Sequence, residues 1–216
     1  MNTKKRKEWE KNQRQNRIID ISERIFIKQG YDGTTMDVIA KEAGYCKRTL
    51  YLYFKDKEDL FAAIVLRGLK KLEANMENVM KTSKNGFEKI HAIAWTYFRF
   101  WSDNPISFKF MVMFDHKNRY YHRSANLKED SSFKMECQKI FDNLADMTIK
   151  TLEEAMSEGI IKSHLSPLQL MLILWGELSG VMETIATRKG LLKDTYGITP
   201  EDIFLNFTTM VEKSLS

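Results

Sequence analysis

Three prolines punctuate the 216-residue chain, and each follows a side chain able to cap a helix: Asn104-Pro105, Ser166-Pro167 and Thr199-Pro200. Proline fits the first turn of a helix, where its missing N–H is one of the orphan donors anyway, and it disrupts a helix or sheet interior. Three such helix starts, with only ten glycines, leave little room for a many-turned β fold. Apolar residues recur at helical spacing along the chain, as in Ile18, Ile21, Ile25 and in Phe87, Ile90, Ala94, Phe98. The pattern predicts an all-α chain of about nine helices, over 15–29, 35–43, 46–53, 57–80, 87–103, 105–114, 131–158, 167–188 and 200–214. Ser166 with Gln169 has the spacing of a capping box and Asn85 with Glu88 resembles one. Asp56 is placed to cap the helix at 57, and Gly159 to stop the helix at 131–158. The first three helices are short and the later ones long. That contrast predicts a small head joined to a larger helical body by the helix at 57–80.

Charge separates the same two parts. Residues 1–60 hold 14 Lys and Arg against 10 Asp and Glu, while the remainder hold 20 against 19. A basic front on a near-neutral body suits an anionic partner or a solvated face. Two cysteines, Cys46 and Cys137, are too few for a disulfide framework. No apolar stretch follows Lys4–Lys7, so no signal peptide is expected. The longest apolar run, Leu170–Gly176, is too short to span a bilayer, and a cytoplasmic location is expected.

The segment "TTMDVIAKEAGYCKRTLYLYF" has the grammar of a helix-turn-helix. Thr34 or Thr35 caps a short helix, Val38, Ile39 and Ala43 supply its inner side, and Gly44 makes the turn. Leu50 and Phe54 hold the next helix to the core. Lys47, Arg48, Thr49, Tyr51 and Tyr53 are left facing outward, on a helix sized for a major groove. Cations there neutralise phosphates or pair with guanine, and hydroxyls bond phosphate oxygens while their carbon atoms pack on sugars and methyls. Polar-tipped rings suit such a surface better than leucines do.

Residues 14–64 resemble the DNA-binding domain of the TetR family of bacterial transcription regulators. The resemblance is carried by Phe26, Gly30, Tyr31, Thr34, Thr35, Ile39, Ala40, Ala43, Gly44, Thr49, Leu50, Tyr51, Phe54, Lys57 and Leu60, in order and at spacing. It covers the first third of the chain. It implies that Thr35 caps the second helix and touches the DNA backbone, that Thr49, Tyr51 and Tyr53 lie in or beside the groove, and that Lys57 grips a phosphate. Lys47 and Arg48 stand where family members read sequence. Three positions depart from the pattern: Tyr45-Cys46 replaces an aliphatic-serine pair, and Asp37 stands where a basic or polar residue is usual.

The resemblance also implies a division into a basic arm at 1–12, a helix-turn-helix domain at 13–60, and a ligand-binding and dimerisation body at 61–216. The body would dimerise through its last two helices, where Gly176, Ser179 and Gly180 admit close approach. Aromatic and methionine side chains crowd its middle, and Trp95, Phe98, Phe110, Met111, Phe114, Met147 and Trp175 are candidates for lining a drug-sized cavity or forming core. Glu177, a carboxylate inside an apolar run, would face a cationic ligand, pair with Arg99, or sit at a dimer seam. His91, His116, His122 and His164 have no metal-ligand spacing, and no catalytic motif, cofactor loop or metal site is expected.

The expected function is a homodimeric, DNA-binding transcription regulator. It acts as a repressor released from a palindromic operator by an apolar or amphipathic small-molecule inducer. A second reading gives the body a protein partner in place of the inducer. A helical enzyme with a basic head is a third, for which no convergent polar cluster is visible. The arm at residues 1–17, poor in apolar side chains, is expected to be disordered without DNA.

Overall fold

Local capping sets most helix boundaries in this protein. The computed structural model describes residues 3–83, 85–118 and 132–215, and these form nine helices and no strand. They are α1 (Thr3–Gln29), α2 (Met36–Ala43), α3 (Lys47–Tyr51), α4 (Lys57–Thr82), α5 (Gly86–Asp103), α6 (Pro105–Asn118), α7 (Ser132–Ser157), α8 (Pro167–Tyr196) and α9 (Pro200–Leu215). The all-α expectation is therefore met, with all three prolines at the first helical position.

The expected caps form. Thr35 accepts from the Val38 N–H, Asn85 from the Glu88 N–H, and Asp56 from the Asp59 N–H at 2.7 Å. Ser166 and Gln169 complete a reciprocal capping box. A further box at Thr199 and Asp202 starts α9, with the Thr199 hydroxyl donating to the carboxylate at 2.6 Å and accepting from the Asp202 N–H at 3.1 Å.

Three elements differ from the sequence expectation. The segment expected to be disordered is helical from Thr3, and α1 runs unbroken to Gln29. Its Lys, Arg, Glu and Gln residues are strong helix formers, and Arg6 pairs with Glu10 one turn away at 3.0 Å. Helix α3 is shorter than expected, ending at Tyr51, where the Leu52, Tyr53 and Phe54 N–H groups close it on the Thr49 and Leu50 carbonyls. Helix α8 continues through Gly190 to Tyr196, where Gly197 at φ 66° ends it. Its most apolar 18-residue stretch has mean hydropathy 1.3 and is 22% buried, so α8 is long and apolar enough to cross a membrane, contrary to the expectation from run length.

The chain divides into two compact units. The first comprises Met1–Lys70 and Ile106–Lys139, the second Lys71–Pro105 and Ile140–Ser216, so α4 and α7 contribute to both. The first unit contains the expected head and adds α6 with the start of α7. Its core joins Ile18, Phe26, Ile39, Leu50, Phe54 and Leu60. Phe61 on α4 meets Phe110 edge-on at 5.4 Å, and Phe54 meets Phe133 at 5.8 Å.

The second unit is built on rings. Phe98 of α5 stacks on Phe204 of α9 at 4.3 Å and 22°, Trp95 meets Phe204 edge-on at 5.0 Å, and Tyr97 meets Trp175 of α8 at 5.2 Å. Burying one such phenyl group contributes about 1.5–3 kcal/mol. The start of α5 lies against α7, where the Lys89 ammonium meets the Glu154 carboxylate at 2.6 Å. Gly86 makes that approach possible, since a Cβ there would sit 2.8 Å from the Ala155 backbone.

Gly86→Ala should therefore push α5 off α7 and cost about 1–3 kcal/mol, the usual range for overpacking. Gly190→Ala, in an exposed turn where the nearest atom to a new Cβ is 4.0 Å away, should instead stabilise by up to about 1 kcal/mol. Urea unfolding of the two variants measures both; equal shifts would mean the Gly86 approach is not limiting.

Candidate nucleic-acid interface

The turn between α2 and α3 rests on Gly44, whose φ of 71° is left-handed. Its N–H and that of Tyr45 close the end of α2 on the Lys41 and Ala40 carbonyls. A side chain at this φ would be strained by about 1–2 kcal/mol. Beyond the turn, Leu50 and Phe54 are fully buried and fix α3 by its inner side. The outer side presents Lys47, Arg48 and Tyr51 to solvent, with Thr49 and Tyr53 half-buried beside them. Thr35, exposed at the start of α2, lies in the same helix pair.

The eight residues expected to meet DNA fall into two sets. Thr35, Lys47, Arg48, Thr49, Tyr51 and Tyr53 are at least partly open to solvent, whereas Thr34 and Lys57 are engaged inside the head. Thr34 is fully buried and donates to the Gly30 carbonyl at 2.7 Å. The Lys57 ammonium donates to the Tyr31 carbonyl at 3.0 Å and the Thr34 carbonyl at 2.9 Å, and lies 4.3 Å from the Tyr31 ring centroid. Lys117 of α6 covers the same ring at 3.7 Å and reaches Asp32 at 3.7 Å. Burial, then the carboxylates of Glu58, Asp56 and Asp32, push the Tyr31 hydroxyl upward in pKa.

Asp37, already a departure from the family pattern, makes a contact that spacing alone did not show. Its carboxylate holds the Lys47 ammonium at 2.8 Å across the turn, and this hydrogen bond and charge raise the lysine pKa. The unusual acid therefore neutralises one of the two cations at the tip of α3 and leaves Arg48 as the cation there without an ion pair among the described residues. The sequence signal was present, because Asp37 and Lys47 are opposite charges on either side of one glycine turn.

The residues expected to line a ligand site are dispersed. Phe110, Met111 and Phe114 are buried in the first unit. Trp95, Phe98, Met147, Trp175 and Glu177 belong to the second, where Phe98 is buried and Glu177 is exposed on α8. A cleft of about 300 Å³ in the second unit is lined by Val79, His91, Ala92, Trp95, Thr96 and Arg99. Trp95 is the member of the expected set that borders it. Its indole N–H donates to His91 Nε2 at 3.1 Å, and Arg99 has no ion pair among the described residues. Among the described residues no cluster of His, Cys, Asp or Glu could hold a metal ion, and His122 lies outside them.

The two thiols differ sharply. Cys46 is exposed, and its Sγ lies 3.2 Å from the Thr49 hydroxyl, which with the Thr49 N–H lowers the thiol pKa. Cys137 is buried, donates to the Ala62 carbonyl at 3.3 Å, and is pushed up to about 12 by desolvation. A thiol reagent at neutral pH should label Cys46 in the native protein and Cys137 only on unfolding. Thr49→Val should move the Cys46 labelling midpoint to higher pH, and an unmoved midpoint would show that the hydroxyl does not stabilise the thiolate.

Residues 18–64 match the family of bacterial regulatory proteins described as tetR. The chain is 32% identical over 92 residues to the uncharacterized HTH-type transcriptional regulator YhgD of Bacillus subtilis, covering 43% of this chain and 48% of that one. It thus spans less than half the length of the first curated relatives it matches. Solved structures extend the likeness of fold over nearly the whole chain. FadR from Bacillus subtilis in complex with stearoyl-CoA gives a TM-score of 0.64 at 20% identity, covering 93% of this chain and 97% of that one. AibR in complex with isovaleryl coenzyme A and operator DNA gives 0.65 at 19%, covering 91% and 97%. The match falls on the glycine turn, the capped α2 and the inward Leu50 and Phe54 just described, and residues 18–64 form a DNA-binding domain of the tetR family of bacterial regulatory proteins.

Proposed function

We propose that the chain is a ligand-responsive repressor that binds a palindromic operator as a homodimer and leaves it when an apolar or amphipathic molecule occupies the body. The observation that carries this reading is the outer side of α3, where Arg48 and Tyr51 stand exposed on a helix anchored by buried Leu50 and Phe54. Such a helix enters a major groove with its cation on a guanine edge or phosphate. A DNA partner implies a cytoplasmic protein.

Dimerisation is assigned to α8 and α9. Leu168, Leu172 and Ile173 of α8 and Leu205 and Met210 of α9 are exposed apolar side chains, and a two-fold axis would let each copy cover the other's. The inducer is assigned to the second unit, entering at the cleft beside Trp95 and Arg99. An amphipathic anion suits an indole wall with a cation at its edge. The acyl coenzyme A thioesters carried by the two structural neighbours are apt first test compounds. An inducer releases DNA only through unequal affinity for the bound and free conformations, and coupling of about 1–3 kcal/mol gives roughly 5–150-fold in operator affinity.

Footprinting on DNA upstream of its own gene should show a palindrome with half-sites about 34–36 Å apart, or a multiple of that. An unprotected upstream region would remove autoregulation, and failure to bind any duplex would overturn the reading. Asp37→Ala should free Lys47, tighten duplex binding, and steepen the salt dependence by about 0.9 log units per additional phosphate neutralised. Lys57→Ala should lower the thermal stability of the protein and leave the salt slope unchanged, because its ammonium bonds carbonyls within the head. A flatter slope in that variant would return Lys57 to the phosphate contacts.

A further inference from the structure

Helix α1 extends well beyond the part that packs on the head. Its buried residues begin at Ile18, and from Thr3 to Arg17 all side chains are exposed except the half-buried Glu10 and Gln15. Fifteen residues of helix are about 22 Å long at 1.5 Å per residue. This stretch carries seven Lys and Arg against two Glu, a net charge of +5 that equals the net charge of the whole chain. Arg6 is paired with Glu10, but Lys7, Lys11 and Arg14 form no ion pair among the described residues.

The placement of these cations is ordered. Residues seven apart on a helix fall on nearly one line. Lys4, Lys11, Ile18 and Ile25 form one such line, and Lys7, Arg14 and Ile21 the line beside it. The stripe that buries Ile18 and Ile25 in the head therefore continues outward as Arg14, Lys11, Lys7 and Lys4. Where the head ends, the same side of one continuous helix changes from apolar to cationic.

We propose that this stripe is a second DNA-contact surface, gripping the phosphate backbone of duplex flanking the segment that α3 reads. The proposal rests on the DNA-binding reading of the head and adds a contact that does not read base sequence. From Lys4 to Arg14 the stripe spans about 15 Å, a length over which B-DNA carries on the order of nine phosphates on its two strands. Long flexible ammonium and guanidinium groups on one face suit such a polyanion. An anionic membrane fits poorly, because the rest of the helix surface offers one large apolar side chain, the exposed Trp9, and lacks the apolar face an interfacial helix buries.

The test uses the full-length protein and the triple variant K7Q/K11Q/R14Q. Binding to a 40-bp mixed-sequence duplex is measured over a range of salt concentrations, with thermal unfolding as the control for folding. The variant should unfold like the wild type and show a flatter log–log salt slope, by about 0.9 for each phosphate that a protomer no longer neutralises. Shortening the duplex to remove the flanks should weaken the wild type more than the variant. The charge-keeping variant K7R/K11R/R14K should behave as wild type. Equal slopes for wild type and triple variant would overturn the proposal while leaving the DNA-binding reading of the head intact. So would charge-dependent binding to phosphatidylserine vesicles combined with equal slopes on DNA. A wild-type protein that binds no duplex at any salt would overturn both.

Discussion

One ammonium holds the turn between α1 and α2 to the first turn of α4. Lys57 donates to the carbonyls of Tyr31 and Thr34, two oxygens of a tight turn that no helix or sheet ladder engages. Hydrogen bonds to a charged donor contribute roughly 1.5–3 kcal/mol each, and without the ammonium the Tyr31 carbonyl would keep only the Thr34 N–H at 3.3 Å. The next residue, Thr35, caps α2, and α2 ends at the left-handed Gly44. Both ends of α2 are thus fixed by groups a few residues away, and α3 follows with Leu50 and Phe54 buried. The outward direction of Arg48 and Tyr51 is a consequence of those inward constraints.

That arrangement explains what was legible in the sequence and what was not. Caps were legible because a capping side chain and its N–H lie within three residues, as at Thr35, Asp56 and Ser166. The helix-turn-helix was legible because its apolar residues recur at helical spacing on either side of a turn glycine. The inward role of Lys57 was not, since its partners lie 23 and 26 residues away in the chain. A lysine in the first turn of a helix reads equally as a phosphate contact or as a solvated cation until the fold brings a turn beneath it. The Asp37–Lys47 pair, ten residues apart, left a signal in its opposite charges across one glycine turn, but the fold was needed to bring them together. The arm at residues 3–17 departs from expectation on different grounds. A lack of apolar residues predicts a lack of structure, yet Lys, Arg, Glu and Gln form helix without a core when a packed helix seeds them, because propagation is cheap once the nucleus exists.

The candidate ligand residues show the limit of composition. Crowded rings predict a cavity or a core, and periodicity cannot choose between them. Phe98 stacked on Phe204, with Trp95 edge-on to the same ring, is the packing of a core. The cleft in the second unit is bordered, besides Trp95, by His91, Thr96, Arg99, Ala92 and Val79, which a search for aromatic stripes passes over. Trp95 belongs to both arrangements. One edge packs on Phe204, and its N–H reaches His91 at the cleft.

Helix α8 carries the remaining tension. Only 22% of its apolar 18-residue stretch is buried, and leaving apolar surface in water costs about 25 cal/mol per Å². Lipid would cover it, but only by taking in Glu177 near the centre of that stretch, and a carboxylate at a bilayer centre costs several kcal/mol. A protein surface meets no such cost, because Glu177 can stay at a wet rim. The small residues point the same way. Gly176 and Gly180 lie on α8 with nothing within 4 Å of a would-be Cβ, and such a pair lets another helix approach backbone to backbone. In the homodimer proposed above, a second copy of the chain would bring the same small and apolar residues about a two-fold axis, so one self-complementary surface would cover both.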